Sequence, residues 1–166
     1  MSSEQIQLAI LCPVAAKNLI AKDENFIIYG EMIKNGTGII YRKNNPIKKV
    51  AFANGRIEQL QMIENILGKN VWVKSAGANG LPYLLENNSV DAIVTDYGRY
   101  LKMGSNYEYL ISKNNYVTHV LVINKNLLGN KKFNSFIKTY NSYIKTIKKR
   151  EKKEWMPIYT PLELKD

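Results

Sequence analysis

The chain is poor in the residues that most often carry chemistry in small proteins. Its 166 residues include one cysteine, Cys12, and one histidine, His119. A single cysteine excludes an internal disulfide framework and suits a reducing compartment. One cysteine and one histidine are also too few for a zinc site with the usual set of ligands. We therefore predict neither a metal nor a cofactor.

Long apolar runs are lacking as well. Residues 1–23 do not form a basic region followed by a long apolar segment, because Lys17, Asn18 and Lys22 interrupt the candidate run. We find no other stretch that is long and apolar enough to span a membrane. The expectation is a cytoplasmic protein without a signal peptide or transmembrane segment, although a chain whose leader had been removed would read the same.

Acidic residues are scarce, with 14 Asp and Glu against 24 Lys and Arg, a formal net charge of +10. Most of the excess lies between Lys131 and Lys153, where there are nine basic residues and one Glu. The apolar residues of this segment recur at helical spacing, which predicts an amphipathic C-terminal helix. The predicted stripe consists of Phe133, Phe136, Ile137, Tyr140, Ile144 and Ile147.

The basic face of this helix has two interpretations. A solvated face is the favoured one, because runs of charge usually point into water. The other is contact with nucleic acid or with an anionic membrane surface. No zinc-ligand spacing, RNP-type aromatic motif or helix-turn-helix signature supports nucleic acid, which is therefore the less favoured partner.

The middle of the chain alternates between strand and helix patterns. Between Lys48 and Asp96 the order is β-α-β-α-β with short connections, which predicts a parallel sheet with crossover helices. Before it, Asn35-Gly36 separates two β-rich runs, a pattern typical of a hairpin turn. The sequence thus predicts an α/β protein.

An ordered set of motifs resembles a known family. LGKNVWV (67–73) resembles the strand entry of that family, and SAGANG (75–80) its glycine-rich helix start. LLENNSVDAIVTD (84–96) resembles its VDA motif, with Asn87-Asn88 where a glycine is usual. HVLVINKNLLGNKKFNSFIKTY (119–140) resembles its return strand and long C-terminal helix. Together they resemble the type II periplasmic-binding-protein family, in particular its nitrate, sulfonate and thiamine-precursor binders.

The resemblance implies a fold of two small lobes with a βαβαβ parallel-sheet core in the second lobe. Residues 1–48 and 116–166 would form the first lobe, including the basic C-terminal helix, and residues 49–115 the second. Members of the family are usually much longer than this chain. The expectation is therefore a reduced, divergent domain, of an uncharacterised cytosolic kind found in archaea.

The candidate ligand site follows from a general rule for open α/β sheets. Ligands bind beyond the carboxyl ends of the strands, where the helix N-termini point. The candidate ligand-binding residues at these ends are Asn54, Gly55, Ser75, Gly77, Asn79, Gly80, Thr95 and Asp96. The alternative interpretation of the glycines is that they only permit tight turns, and the sequence leaves both open.

The leading hypothesis is non-catalytic binding of a small polar or anionic molecule in a cleft between the lobes. The alternative is a small cytosolic enzyme on the same fold, resembling enzymes of the menaquinone pathway. No catalytic residue is assigned, because a Cys12–His119 pair is less favoured than structural roles for both. The sequence sets neither the identity of the ligand nor the oligomeric state.

Overall fold

The computed structural model describes residues 6–150 and 156–165, without the side chains of residues 148–150. The chain divides into two compact units. Of the described residues, the first unit comprises 6–34, 116–150 and 158–165, and the second comprises 35–115 and 156–157. The elements in chain order are β1 Leu8–Leu11, α1 Pro13–Lys22, β2 Phe26–Lys34, β3 Thr37–Arg42, β4 Lys49–Ala53, α2 Ile57–Leu67, β5 Trp72–Ala76, α3 Leu81–Glu86, β6 Ala92–Asp96, α4 Tyr97–Tyr100, β7 Tyr107–Leu110, β8 Val117–Asn124, α5 Lys131–Arg150 and β9 Ile158–Tyr159.

The first unit is built on a four-stranded antiparallel sheet in the order β1-β8-β2-β9. Successive side chains of a strand point to opposite faces, and β8 buries both sets. Val120 and Val122 pack with Ala16 of α1, whereas Leu121 and Ile123 pack in a second cluster with Ile137 of α5. Helices therefore cover both faces of this sheet, which explains the continuous apolar run in β8.

The amphipathic helix expected from the C-terminal spacing is present as α5. Asn130 caps it, because its side-chain oxygen accepts hydrogen bonds from the amides of Lys132 (2.9 Å) and Phe133 (3.3 Å). Ile137 and Ile144 are buried within its stripe, whereas Phe136 is exposed. Residues 151–153 of the basic segment lie outside the described residues.

The residues after α5 complete the first unit through pairings that were not predicted from the sequence. β9 pairs with the end of β2. Tyr29 donates a hydrogen bond to the carbonyl of Glu163 (2.6 Å), and the Asn141 amide exchanges two bonds with the backbone of Leu162 (2.7 and 2.9 Å). Leu162 lies against Gly30, where a Cβ would come within 2.7 Å of its side chain. Gly30 therefore makes room for the C-terminal tail, residues 158–165.

The second unit contains a five-stranded sheet in the order β5-β4-β6-β3-β7. β4 is parallel to both β5 and β6, which confirms the predicted βαβαβ core. Asp91 fixes the beginning of this parallel pairing, because its carboxylate accepts hydrogen bonds from the amides of Lys48 (2.9 Å) and Lys49 (2.8 Å). The acid of the VDA motif thus has a structural role. Asn88 is one of the two asparagines that stand where the family usually has a glycine. Its φ of 60° is a left-handed value, which asparagine accepts more readily than most residues.

Two expectations for residues 35–48 differ from the structure. The run at 37–42 does not form a hairpin with β2, because β3 pairs with β6 and β7 in the other sheet. Asn35 has the positive φ of 55° that its turn signal suggested, but the turn carries the chain from one unit to the next. The first crossing therefore falls between Lys34 and Asn35 rather than at residue 48.

Within the described part of the chain, no helix has both the length and the apolar character that a bilayer crossing requires.

Candidate functional site

The parallel strands of the second unit bring the candidate residues to one edge of the sheet. β5, β4 and β6 are neighbours and run in the same direction, so their carboxyl ends lie side by side. All eight candidate residues lie in or directly after these strand ends. Thr95 is buried, and the other seven are exposed: Asn54, Gly55, Ser75, Gly77, Asn79, Gly80 and Asp96. The structure thus gathers the predicted set at one rim of the sheet, where every member except Thr95 is exposed.

The glycine in the loop after β4 is explained by the conformation of the backbone. Gly55 has φ of +73°, a left-handed value that favours glycine. The Asn54 amide donates to the carbonyl of Ala76 (2.9 Å), which ties the end of β4 to the end of β5. Gln59 of α2 reaches back to accept a hydrogen bond from the amide of Ala53 (2.9 Å). For Gly55, the simple turn interpretation is therefore sufficient.

The two glycines in the loop after β5 have no such explanation. Neither Gly77 nor Gly80 has a positive φ. A Cβ at Gly77 would meet nothing within 4 Å, and one at Gly80 would meet only the Gly77 carbonyl, at 3.4 Å. The fold therefore requires glycine at neither position, whereas a ligand that approaches the backbone closely would require it at both.

The same loop supplies backbone donors. Its turn is closed by a hydrogen bond from the Gly80 amide to the Gly77 carbonyl (2.9 Å). Among the described residues, no protein acceptor is found for the amides of Ala78 and Asn79. Successive free amides of this kind form a concave surface that attracts anions.

The helix that follows the loop supplies fewer backbone donors to the rim than was expected from the sequence. α3 has only six residues, and its second residue is Pro82, which has no amide hydrogen. A short helix also has a weak macrodipole. A ligand at this rim would therefore meet backbone donors of the loop rather than those of the N-terminus of α3.

Arg99 also belongs to this rim, although it was not among the predicted residues. Its guanidinium donates to the Ala78 carbonyl (2.8 Å) and to the side-chain oxygen of Asn79 (3.1 Å). Because Arg99 lies in α4, directly after β6, it links the loop after β5 to the far side of β4. Its only sequence signal was a cation three residues after the strand-ending Asp96.

The start of β3 also reaches this rim, because β3 runs antiparallel to β6 and pairs Thr37 with Asp96. The Thr37 hydroxyl donates to the Asp96 carboxylate at 3.5 Å, and the Tyr97 amide donates to the Gly36 carbonyl at 2.9 Å. Sequence reasoning missed Gly36 and Thr37 because it assigned both to the first lobe.

Three tyrosine rings pack together beside Asp96. The centroid of Tyr109 lies 5.4 Å from that of Tyr97 and 5.2 Å from that of Tyr100. Burial, and secondly the charge of Asp96, hold the pKa of Tyr109 well above its usual value. The Tyr109 hydroxyl therefore stays protonated at physiological pH, and the three rings form an aromatic wall next to an exposed carboxylate.

Cys12 and His119 lie in the first unit, apart from the candidate residues in sequence and in sheet. The Cys12 sulfur caps α1 by accepting a hydrogen bond from the Ala15 amide at 3.4 Å. His119 Nδ1 lies 3.2 Å from the Thr118 hydroxyl. Each residue thus has a structural contact. In residues 6–150 and 156–165, no group of three or more His, Cys, Asp or Glu could hold a metal ion.

Comparison with known proteins identifies structures with a similar fold. No protein-family model matches the chain, and no curated protein matches it in sequence. The chain is similar in structure to a pheromone cOB1 precursor/lipoprotein of the YaeC family from Enterococcus faecalis (TM-score 0.67, 13% identity, covering 95% of this chain and 81% of that one). It is similar to a putative methionine-binding lipoprotein from Bacillus subtilis (TM-score 0.65, 15% identity, covering 95% and 79%).

A third similar structure is the periplasmic aliphatic sulphonate binding protein SsuA from Escherichia coli (TM-score 0.59, 14% identity, covering 87% of this chain). This chain spans only 58% of the length of SsuA. All three identities are too low to transfer a ligand, and the archaeal branch suggested by the sequence remains a prediction. Taken with the βαβαβ core, these similarities show that the chain has the type II periplasmic-binding-protein-like fold.

Proposed function

We propose that this protein binds a small polar or anionic molecule, without catalysis, at the carboxyl-terminal rim of β5, β4 and β6. The observation that carries the proposal is the pair of glycines at positions 77 and 80, which neither the backbone nor the packing of the fold requires. Solute binding by proteins of similar structure, named for methionine and for aliphatic sulphonates, supports the same class of function.

The rim has the groups that such a ligand needs. The free amides of Ala78 and Asn79 suit an anionic group, and Arg99 holds their loop in place. The Asp96 carboxylate, on the neighbouring strand end, suits a cationic or hydroxyl group of the same ligand. Amino acids and short sulfonates are therefore the first molecules to test.

Binding can be followed by thermal unfolding of the full chain with L-methionine, other amino acids, alkanesulfonates and inorganic anions. A ligand at about 100 times its dissociation constant stabilises by roughly 2.7 kcal/mol, which corresponds to a rise of roughly 5 to 10 °C for a chain of this size. We expect at least one member of the panel to produce such a rise.

The variant Gly77→Val tests the position of the site. It should abolish the ligand-induced rise, because its side chain would occupy the space above the loop, while the unliganded melting temperature changes little. Ser89→Val is the matched control, since Ser89 is an exposed loop residue at the opposite, amino-terminal edge of β6. Undiminished binding by Gly77→Val would show that the ligand binds elsewhere.

The position of the site in a cleft between two lobes and the cytoplasmic location remain predictions from the sequence.

A further inference from the structure

The strand β1 lies at one edge of the four-stranded sheet and, within the described chain, pairs with β8 alone. The Gln7 carbonyl accepts a hydrogen bond from the amide of Asn124 (2.8 Å), so Gln7 turns its backbone groups towards β8. In an antiparallel pair this direction alternates from one residue to the next. The amides and carbonyls of Leu8 and Ile10 therefore point away from β8, into the open edge.

The same two residues expose apolar side chains. The side chains of Leu8 and Ile10 are 39% and 49% exposed. Their register partners on β8 are Ile123 and Leu121, so they lie on the face of the sheet that α5 covers. The apolar cluster beneath α5 is formed mainly by residues of β2, β8 and α5, and β1 lies beyond it. The edge thus offers outward backbone groups and apolar side chains at the same positions.

The other sheet edges in the described chain are better protected than β1. Exposed edges pair readily with other strands, and proteins usually protect them with charges, prolines or very short strands. β9 has two residues and lies between Pro157 and Pro161. β5 contains Lys74, and β7 contains Glu108. β1 contains neither a charged residue nor a proline, and residues 5–16 around it include no charge at all.

The charge of the chain favours a second copy of itself as the partner at this edge. Two chains that each carry a formal net charge of +10 repel each other wherever their lysines meet. A segment without charge is where two copies can approach with the least repulsion. An acidic partner, in contrast, would be drawn to the lysine-rich surfaces and not to this edge.

The strand is also complementary to itself. A twofold axis pairs identical strands in antiparallel fashion, which is how every strand of this sheet already pairs. With Ala9 on the axis, Leu8 of one copy lies opposite Ile10 of the other, and the two residues exchange a pair of backbone hydrogen bonds. The axis repeats this pair, so every outward backbone group of Leu8 and Ile10 is used. The aliphatic side chains then lie side by side on one face of a continuous sheet.

We propose that two copies of this chain associate through antiparallel pairing of their β1 strands. The dimer uses the first unit and is independent of ligand binding at the rim of the second. Because the paired strands are only four residues long, the interface belongs to the small class that forms weak, reversible complexes.

Sedimentation of the full chain measures this association at protein concentrations from about 1 μM to about 1 mM, the range in which weak complexes dissociate. We expect monomer and dimer without larger species, because a twofold axis closes the assembly. The dimer should strengthen about 10-fold when salt is raised from about 10 mM to about 150 mM. Over that range the Debye length falls from about 30 Å to about 8 Å, which screens the repulsion between two basic chains.

The variant Ile10→Lys should weaken the dimer at least about 10-fold, because lysine on an edge strand opposes pairing with another strand. Ile57→Lys is the matched control, since Ile57 is an exposed isoleucine of the second unit and the change in charge is the same. The control should weaken the dimer about two-fold or less, through net charge alone.

The variant Leu8→Pro tests the backbone of the edge. Proline is accepted at the first residue of an edge strand, and here it removes an outward amide while the pairing with β8 is kept. It should weaken the dimer about 10-fold, because two hydrogen bonds are lost for each dimer. If Ile10→Lys does not fold, as judged by thermal unfolding, Leu8→Pro serves in its place.

A cross-link tests the register. Ala9→Cys in a Cys12→Ser background places one thiol of each copy at the axis. The two Cα atoms there form a non-hydrogen-bonded pair about 4.5 Å apart, which is within disulfide range. Serine at position 12 keeps a side-chain cap for α1. Mild oxidation should yield at least 10-fold more covalent dimer than Ser89→Cys in the same background, since Ser89 is an exposed loop residue of the second unit.

Three results would overturn the proposal. The first is a native chain that stays monomeric up to about 1 mM, which would leave the edge to a strand of another polypeptide. The second is equal weakening by Ile10→Lys and Ile57→Lys, which would assign the association to net charge and not to β1. The third is no more covalent dimer from Ala9→Cys than from Ser89→Cys, which would place the contact elsewhere.

Discussion

The two units of this protein use their sheets for different purposes. In the first unit every strand pairing is antiparallel, so neighbouring strands end at opposite edges. In the second, three adjacent strands run in parallel and end together. An antiparallel sheet therefore disperses its strand ends, whereas a parallel one collects the backbone groups and side chains of several loops. The comparison explains why the candidate site lies in the second unit.

The polar side chains of the two units differ accordingly. In the first unit, Tyr29 and Asn141 hold the C-terminal tail through hydrogen bonds to its backbone. In the second, Asn79 and Asp96 are exposed at the ends of strands. The first unit thus uses these polar groups to hold its own chain together, whereas the second exposes them to solvent.

The largest expected effect is on the cohesion of the first unit. Ile137 is fully buried between α5 and the sheet, so Ile137→Ala should lower the free energy of unfolding by about 2 to 5 kcal/mol through lost burial and the cavity left behind. Tyr143→Ala, on the exposed side of the same helix, should cost less than about 1 kcal/mol. Denaturant unfolding measures both, and similar losses would contradict the packing assigned to α5.

Substitution of one glycine in each unit compares how rigid the surroundings of the two sheets are. A Cβ at Gly38 of β3 would lie 2.5 Å from the Leu110 carbonyl oxygen, a backbone atom that cannot move without disturbing strand pairing. At Gly30 of β2 the obstacle is the end of the flexible Leu162 side chain. Gly38→Ala should therefore cost about 1 to 3 kcal/mol, and Gly30→Ala less.

Gly98→Ala serves as the control, because a Cβ there would meet nothing within 4 Å and the backbone has no positive φ. Denaturant unfolding should rank the three variants Gly38, Gly30, Gly98 from most to least destabilised. A greater loss for Gly30→Ala would mean that the tail is held more rigidly than the strands of the second unit.

The smallest expected effect appears at alkaline pH. A hydrogen bond to the Glu108 carboxylate raises the pKa of Tyr41, in the second unit, to about 12. Burial raises the pKa of Tyr140, in the first, also to about 12. Because the folded-state pKa exceeds the ordinary value of 10.0, each tyrosine stabilises the fold fully below about pH 10 and loses that contribution as the pH rises towards 12.

Tyr41→Phe and Tyr140→Phe should each flatten the fall in melting temperature between about pH 10 and pH 12, relative to the native chain. Tyr140→Phe should also cost about 1 kcal/mol at neutral pH, since the Tyr140 hydroxyl donates to the carbonyls of Met32 and Thr160 (3.1 and 3.2 Å). Unchanged pH profiles in both variants would show that neither hydroxyl is linked to stability.

Much of the second unit could be predicted from sequence because its signals are local. The apolar spacing of α2, the glycine-rich turn at 75–80 and the strand at 92–96 each act within about a dozen residues. Their order along the chain then implies parallel pairing, since a helical crossover returns the chain in the same direction. The candidate residues at the strand ends followed from this order alone.

The destination of β3 could not be predicted in the same way. The turn at Asn35-Gly36 reads as a hairpin because turn chemistry reports only the local bend. Whether the next strand pairs with its predecessor or with β6, more than 50 residues later, depends on which sheet offers a complementary edge. The short β9 was missed for the same reason, since its pairing with β2 follows the whole of α5.

Local sequence patterns were enough to predict the α/β class, the βαβαβ core, the amphipathic C-terminal helix and the residues at the strand ends, because periodicity and turn preferences act between near neighbours. Three features could be seen only in the folded protein: β3 joins the second sheet, the space next to Gly77 is open, and Arg99 reaches the loop at 78–79. These depend on contacts between residues far apart in the chain, which form only when the sheet has assembled.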